Sequence, residues 1–117
     1  MKKAFNQIAL TTILVAFTVS AVAAPQWCQG TVSNLWVNAT GIVFVVPSTR
    51  GDYVQICNIN ADMGGVPPTT CLIWFAMLKS AVQRQSSVII QYSDAPACNA
   101  LPTYASAPIP YYVMQIN

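Results

Sequence analysis

The fold is decided by residues 53–92, which read YVQIC at 53–57, CLIWFAMLKSAVQR at 71–84 and VIIQY at 88–92. The first segment alternates as a half-buried strand does, and the last is a β-branched run typical of a strand. The middle segment places apolar residues at i, i+3, i+4 and i+7, which predicts an amphipathic helix that ends near Gln85. A disulfide between Cys57 and Cys71 would join the first strand to this helix.

The N-terminus predicts a signal peptide over residues 1–23. Lys2 and Lys3 precede an apolar stretch that ends in AVA at 21–23, the small residues that signal peptidase prefers. A transmembrane anchor is the alternative, but Asn, Gln, Thr and Ser dilute the stretch. We therefore expect cleavage after Ala23, no membrane span in the mature chain, and a secreted or periplasmic protein with a leader of bacterial type.

Residues 24–117 have the length of one small domain. A chain this short buries a thin core and commonly depends on cross-links or partners. Its four cysteines allow three pairings. The spacing favours Cys57 with Cys71 and Cys28 with Cys98. A zinc site is the alternative, but the chain has no histidine and no CxxC motif, so we expect no metal and no other cofactor.

The charges of residues 24–117 exclude two classes of function. Three cations balance three anions, and they are Arg50, Lys79, Arg84, Asp52, Asp62 and Asp94. A nucleic-acid-binding protein needs a basic stripe that releases counterions from phosphates, and the chain has none. Without histidine or glutamate the sequence offers no acid and base pair, so we expect a protein that is not an enzyme.

The order of the elements predicts an all-β fold with one helix. Three strands, a helix and two strands match the β-β-β-α-β-β order of the five-stranded OB-fold-like β-barrel. The predicted strands are residues 31–38, 42–46, 53–57, 87–93 and 111–116.

The helix has a second apolar face. Leu72, Ile73 and Met77 lie opposite the stripe that is expected to face the core. Such a helix is either packed irregularly within one core or in contact with another subunit. We therefore regard these three residues as a candidate oligomer interface.

The side chains that remain are suited to carbohydrate. Sugars are held by aromatic faces against C–H groups and by polar side chains that bind hydroxyls, although aromatic residues of a small barrel commonly belong to its core. The aromatic candidates are Trp27, Trp36, Trp74, Tyr53, Tyr92, Tyr104, Tyr111 and Tyr112. The polar candidates are Gln29, Asn34, Gln55, Asn58 and Gln91.

Residues 53–92 resemble the receptor-binding B subunits of subtilase cytotoxin and of typhoid-type toxins. The resemblance is carried by the Ile56-Cys57-Asn58-Ile59 step, by Cys71, by the helix at 74–84 and by the strand at 88–92. It implies a secreted OB-barrel subunit that forms a homopentameric ring with its helices at the centre. It also implies a sialylated or related glycan as ligand, and an A-type subunit as a possible partner.

The resemblance also suggests ligand-binding residues. Tyr92 occupies the place of the family's glycan-contacting tyrosine, and Gln91 precedes it in the same strand. Gln29 stands where the family has the serine that contacts the sialic-acid carboxylate, so that contact is not preserved in this chain. Two alternatives stay open. One is a stand-alone periplasmic or surface protein that contacts another protein, and the other is a small secreted inhibitor that inserts the Pro-rich loop at 94–110.

Overall fold

The computed structural model describes residues 8–9, 11–17 and 23–116. Most of the predicted signal peptide, residues 1–7, 10 and 18–22, lies outside the described residues, as does the last residue of the chain. The signal peptide therefore stays a prediction. No helix in the described ranges is both long and apolar enough to cross a membrane.

Between residues 23 and 116 the chain forms six strands, one α-helix and a short 3-10 turn. In chain order the elements are β1 Ala24–Gly30, β2 Val32–Val37, β3 Ile42–Pro47, β4 Val54–Asn58, α1 Pro68–Arg84, β5 Val88–Ala95, the turn Cys98–Ala100 and β6 Tyr112–Gln115. Five of these strands and the helix correspond to predicted elements, with ends that differ by one to three residues.

The predicted five-stranded OB-fold-like barrel is wrong. The strands form two separate antiparallel sheets of three, ordered β1-β5-β6 and β2-β3-β4, and no closed barrel. The physical reason is the additional strand β1, which pairs with β5, while β2 pairs with β3 after a break at Thr31. Among the described residues, a single isolated bridge, between Val54 and Tyr104, joins β4 to the chain that follows β5. No ladder of such bridges therefore closes the two sheets into one.

The sequence signal of β1 is weak for a reason the structure explains. β1 is an edge strand in which only Cys28 is buried, so its apolar alternation is nearly absent. Pro25 reads as a strand breaker, yet an edge strand tolerates proline because one row of its N–H groups has no partner to lose. The pairing with β5 is also irregular between Ala24 and Gln26.

The core lies between the helix and the apolar faces of both sheets. The predicted stripe of α1 is confirmed, because Cys71, Trp74, Leu78 and Ala81 are all buried. The helix begins at Pro68, where the fixed φ of proline suits the first turn. It ends at Arg84, and the next residue, Gln85, caps it with a left-handed φ of 53° and an N–H that donates to the Ala81 carbonyl.

Both predicted disulfides are confirmed. Cys57 pairs with Cys71 and Cys28 with Cys98, each with a Cα–Cα distance of 5.6 Å. The first bridge ties β4 to the start of α1, and the second ties β1 to the turn after β5. In the chain-entropy view the shorter loop contributes about 3 kcal/mol and the longer loop somewhat more.

Candidate functional site

The tyrosine that the resemblance suggests as a ligand contact lies inside the protein. Tyr92 is 1% exposed and sits in β5, the central strand of its sheet. Its phenolic oxygen is buried and has no hydrogen-bond partner among the described residues. Desolvation by burial raises the pKa of Tyr92 far above its ordinary value. A ligand on the outside of the protein has no access to this ring.

The two glutamines lie on the other face of the same sheet. Successive residues of a strand point to opposite faces, so Gln91 points away from the side that Tyr92 occupies. Gln91 is buried, and its Nε2 donates to the Tyr92 carbonyl at 2.9 Å. Gln29 is exposed on β1, two pairs along from the Trp27–Gln91 pair and so on the same face. The structure therefore brings Gln29 and Gln91 to one face and leaves Tyr92 on the other.

The second apolar face of α1 is exposed. Leu72 is 51% exposed and Ile73 is 62% exposed, while Met77 is half-buried. The buried stripe of the helix runs along the opposite side. Leu72 and Ile73 are thus not packed within this chain's core, whereas Met77 packs partly against it; the three residues are here called the apolar helix face.

Three aromatic residues from distant parts of the chain meet on the surface. Trp36 comes from β2, Tyr53 precedes β4, and Tyr104 belongs to the loop between β5 and β6. The Trp36 and Tyr53 rings meet edge-on with centroids 5.8 Å apart, and Tyr53 lies 5.6 Å from Tyr104. We call this group of three the aromatic ledge.

The indole of Trp36 is fixed from below. Phe44 of β3 is buried and stacks on it at 4.3 Å, with an interplanar angle of 10°. Trp36 and Phe44 are cross-strand partners, which is the arrangement that brings two rings together in an antiparallel pair. Trp36 is nevertheless 38% exposed, so the exposed part of its ring lies on the side away from Phe44.

Tyr104 is held in place by the backbone of its neighbours. Its N–H donates to the Tyr53 carbonyl at 2.7 Å, and its own carbonyl accepts from the Gln55 N–H at 3.4 Å. The buried Gln55 side chain also donates to the carbonyls of Ala105 and Ala107 at 3.1 and 2.7 Å. The loop is therefore fastened to β4, while the Tyr104 ring stays 48% exposed.

Tyr104 of the ledge and the nearby Asn34 have a backbone conformation that side chains disfavour. Asn34 has a φ of 52° and Tyr104 a φ of 53°, and the only other non-glycine residue with positive φ among the described residues is the helix cap Gln85. Asn34 lies where the β2–β3 register shifts between Ser33 and Trp36, a bulge that places it beside the ledge. Conformations of this kind cost free energy and concentrate at ligand sites.

The ledge borders an open cavity of about 570 Å³. Its lining residues are Asn34, Leu35, Trp36, Tyr53 and Tyr104. Among these residues there is no carboxylate and no Lys or Arg, so the cavity offers aromatic surface, an amide and phenolic hydroxyls. This chemistry suits binding of a neutral, hydroxyl-bearing ligand, and it provides no acid and base pair for catalysis.

Another cleft, of about 470 Å³, lies between the start of α1 and the end of β5. Its walls include Asp94, Trp74 and Tyr111; the indole is almost wholly buried, so the exposed Tyr111 is the one ring in these walls on which a ligand could stack. Gly64 at its edge packs so closely that a Cβ there would lie 2.7 Å from Ile109. The ledge is therefore the better candidate for a ligand that stacks on an aromatic face.

Sequence reasoning included the ledge residues only within a longer set of aromatic and polar candidates. No spacing links positions 36, 53 and 104, because the ledge is assembled by the β2–β3 pairing and by the hydrogen bonds of the Tyr104 loop. Comparisons of the chain with protein-family models, curated proteins and solved structures find no match.

Proposed function

We propose that this chain is an exported, non-enzymatic carbohydrate-binding protein whose ligand stacks on the aromatic ledge. The observation that carries the proposal is the exposed Trp36 ring, braced by Phe44 and flanked by Asn34 and Tyr104 at positive φ. A ring fixed in this way loses little conformational freedom when a ligand binds, which favours affinity.

The polar groups at the ledge support a sugar over other flat ligands. A pyranose presents C–H groups on one face and hydroxyls around its edge. The Trp36 ring would contact that face, while Asn34 and the Tyr53 and Tyr104 hydroxyls would bind the edge. A nucleic acid would also stack, but the cavity has no Lys or Arg to meet its phosphates.

The two disulfides support the export part of the proposal. Disulfides form and persist in oxidising compartments, which include the periplasm and the exterior of the cell. With the leader predicted at residues 1–23, they favour a secreted or periplasmic site of action.

The apolar helix face supports assembly. Leu72, Ile73 and Met77 present apolar surface that a second copy of the chain would cover, as the resemblance to toxin B subunits implies. We therefore propose a homo-oligomer, a pentamer by that resemblance, with an A-type subunit as a possible further partner.

A glycan array tests the ligand proposal. Wild-type mature protein should bind a defined set of glycans, and Trp36→Ala should lose that binding. Trp27→Ala is the matched control, because Trp27 is also exposed but lies on β1, away from the ledge. An array with no bound glycan at high protein concentration, or equal losses in the two variants, would overturn the proposal.

Light scattering tests the assembly proposal. The mature protein should have the mass of a closed oligomer, and Ile73→Lys should shift it to the monomer because the substitution puts a charge on the apolar helix face. Gln83→Lys, on an exposed polar part of the same helix, is the control. A monomeric wild type would instead favour the second candidate, a stand-alone periplasmic or surface protein that uses this face to contact a different protein.

The inhibitor alternative receives no support from the loop at 94–110. Leu101 and Ala107 of this loop are buried in the core, and the Arg50 Nε donates to the Leu101 carbonyl at 2.6 Å. These contacts fasten the loop to its own domain, while residues 97, 99–100, 102 and 104–106 stay exposed.

A further inference from the structure

A groove of about 480 Å³ runs between β2 and α1. Four successive residues of β2, 34–37, line one side of it. Successive residues of a strand point to opposite faces, so four in a row mark the edge of the strand and not one of its faces. The other side is one face of the helix, where the lining residues follow one another at i, i+4, i+7 and i+8. They are Phe75, Lys79, Val82 and Gln83.

The backbone along this edge of β2 has hydrogen-bonding groups without a partner strand. β2 is an outer strand of its sheet, and β3 is its one partner among the described strands. The Asn38 N–H donates to the Ile42 carbonyl at 3.0 Å. Because backbone groups of successive residues alternate between the two sides of a strand, the N–H and C=O of Val37 point away from β3, toward the groove. In the described part of the chain, no backbone hydrogen bond outside the β2–β3 ladder reaches residues 35–37.

The other sheet edges are protected in ways that this edge is not. The Tyr104 loop covers the edge of β4 through two backbone hydrogen bonds. β1 carries Pro25 and an irregular register at its start, and β6 has four residues. Proline, bulges and short length all discourage the addition of a strand. The bulge in β2 ends at Trp36, so Val37 beyond it remains available for pairing.

The side chains of the groove indicate what an added strand would carry. The floor is apolar and packs partly against the core, and it consists of Leu35, Val37, Phe75 and Val82. Lys79 is the one charged residue in the lining, and it is exposed. A strand beside β2 would therefore place an apolar side chain on α1 at every second position, and an acidic side chain near Lys79.

A second copy of this chain does not offer such a strand. The chain has three carboxylate side chains, Asp52, Asp62 and Asp94. Asp94 alone lies in a described strand, and that strand is β5, the central strand of its sheet, which has partners on both sides. The occupant with complementary charge is thus a different protein.

We infer that the free edge of β2 binds an extended segment of a partner protein that alternates apolar and polar residues and carries an acidic side chain. The segment adds to the sheet as a fourth strand and packs on α1. In strand addition of this kind, main-chain hydrogen bonds give affinity and alternate side chains give specificity. The inference is independent of the proposed glycan binding, because Phe75, Lys79 and Val82 do not line the ledge cavity.

Calorimetric titration of the mature protein with heptapeptides tests the inference. The peptides have blocked termini and alternate valine with threonine, and each threonine in turn is replaced by aspartate. We expect one aspartate position to bind about threefold more tightly than the parent peptide, as an exposed ion pair allows. N-methyl groups on the alternate set of amides that face β2 should weaken binding about tenfold, because main-chain hydrogen bonds are lost. N-methyl groups on the other set should have less than about a twofold effect.

Lys79→Glu should remove the preference for aspartate. Arg84→Glu is the matched control, since Arg84 is exposed on the same helix but does not line the groove. Both variants should bind glycans as wild type does, because neither residue lines the ledge cavity. Hydrogen exchange supplies a second readout. The Val37 N–H should exchange more slowly when the best peptide is bound.

Three results would overturn the inference. They are a wild type that binds none of the peptides, equal losses from the two N-methylated sets, and unchanged exchange at Val37. A peptide that binds and dissociates an oligomer of the mature protein would place a second copy at this edge, and would also overturn it. None of these results bears on the ledge as a sugar site.

Discussion

Tyr92 and Tyr104 are the same residue type in opposite surroundings. Tyr92 lies in the central strand of one sheet, where neighbours on both sides and the core enclose it. Tyr104 lies in a loop that crosses the edge of the other sheet, where backbone hydrogen bonds hold it and solvent reaches its ring. The difference shows that the element and the face on which an aromatic residue stands decide whether its side chain stabilises the fold or is accessible to a ligand.

The same comparison separates stability from binding. Changes around Tyr92 should alter the free energy of unfolding and leave ligand affinity unchanged. Changes around Tyr104 should do the reverse. The four predictions below test this separation.

The largest effect should follow truncation of the buried ring. Tyr92→Ala should lower the free energy of unfolding by about 3–5 kcal/mol, because it removes a large buried side chain and leaves a cavity. Urea denaturation with both disulfides intact would measure the loss. The same substitution at the exposed Tyr111 is the control and should cost less than about 1 kcal/mol. Similar losses at the two sites would break the comparison.

The pH dependence of stability should reveal the buried phenol. The pKa of Tyr92 in the folded protein is raised above its ordinary value of 10.0 because burial disfavours the phenolate. Above pH 10 the unfolded chain loses this proton while the folded protein keeps it. The free energy of unfolding therefore keeps its full value below pH 10 and falls as the pH rises above 10. The expected slope approaches about 1.4 kcal/mol per pH unit.

Denaturation of wild type and Tyr92→Phe between pH 9 and pH 11 checks this slope. The free energy of unfolding of the variant should fall less steeply at alkaline pH, by the contribution of one tyrosine. The variant should bind glycans as wild type does. Because the buried hydroxyl has no hydrogen-bond partner, the variant should be at least as stable as wild type at pH 7. An unchanged slope, or lost glycan binding, would contradict the assignment of Tyr92 to the core.

On the ledge, Tyr104→Leu should weaken glycan binding by about five- to tenfold, which corresponds to about 1 kcal/mol. The substitution keeps an apolar side chain at the same φ but removes the ring and its hydroxyl. Tyr111→Leu is the matched control, because Tyr111 is exposed near the other cleft. Titration with a glycan that binds on the array would compare the affinities of the two variants. A larger loss of affinity for Tyr111→Leu would place the binding site at the other cleft instead of the ledge.

The smallest effect should come from the bulge in β2. Asn34→Gly should raise the free energy of unfolding by about 0.5 kcal/mol, because glycine adopts a φ of 52° without steric cost. It should also weaken glycan binding, since the amide beside Trp36 is lost. Asn58→Gly, at a position with ordinary φ outside the ledge, should instead be destabilising. A less stable Asn34→Gly protein would show that the amide itself supports the bulge.

Much of the fold could be predicted from the sequence wherever a residue pattern was compatible with a single structure. The stripe through Cys71, Trp74, Leu78 and Ala81 predicted the helix, and the cysteine spacing predicted both disulfides. The barrel was mispredicted because β1 has a single buried side chain and so lacks the alternation that marks a strand. Because the prediction did not include β1, the order of the other elements matched a five-stranded closed sheet that the structure does not form.

The candidate site could be predicted less well, because residues that are distant in the sequence form it. Trp36, Tyr53 and Tyr104 become neighbours only through strand pairing and through hydrogen bonds to a loop without regular structure. The positive φ of Asn34 and Tyr104 leaves no mark in the sequence, since neither residue is glycine. The resemblance to toxin subunits directed attention to Tyr92, whose ring is buried because its side of β5 faces the core.

The order of the two disulfides along the chain has a consequence for biogenesis. Cys28 and Cys57 are the first two thiols to be synthesised, yet Cys28 pairs with Cys98, the last of the four, and the loop from Cys57 to Cys71 is nested inside. Oxidation of thiols in order of emergence would join the wrong pair. Correction of that pair would require thiol–disulfide exchange, so a catalyst of isomerisation should raise the yield of native protein when oxidation begins before Cys98 has emerged.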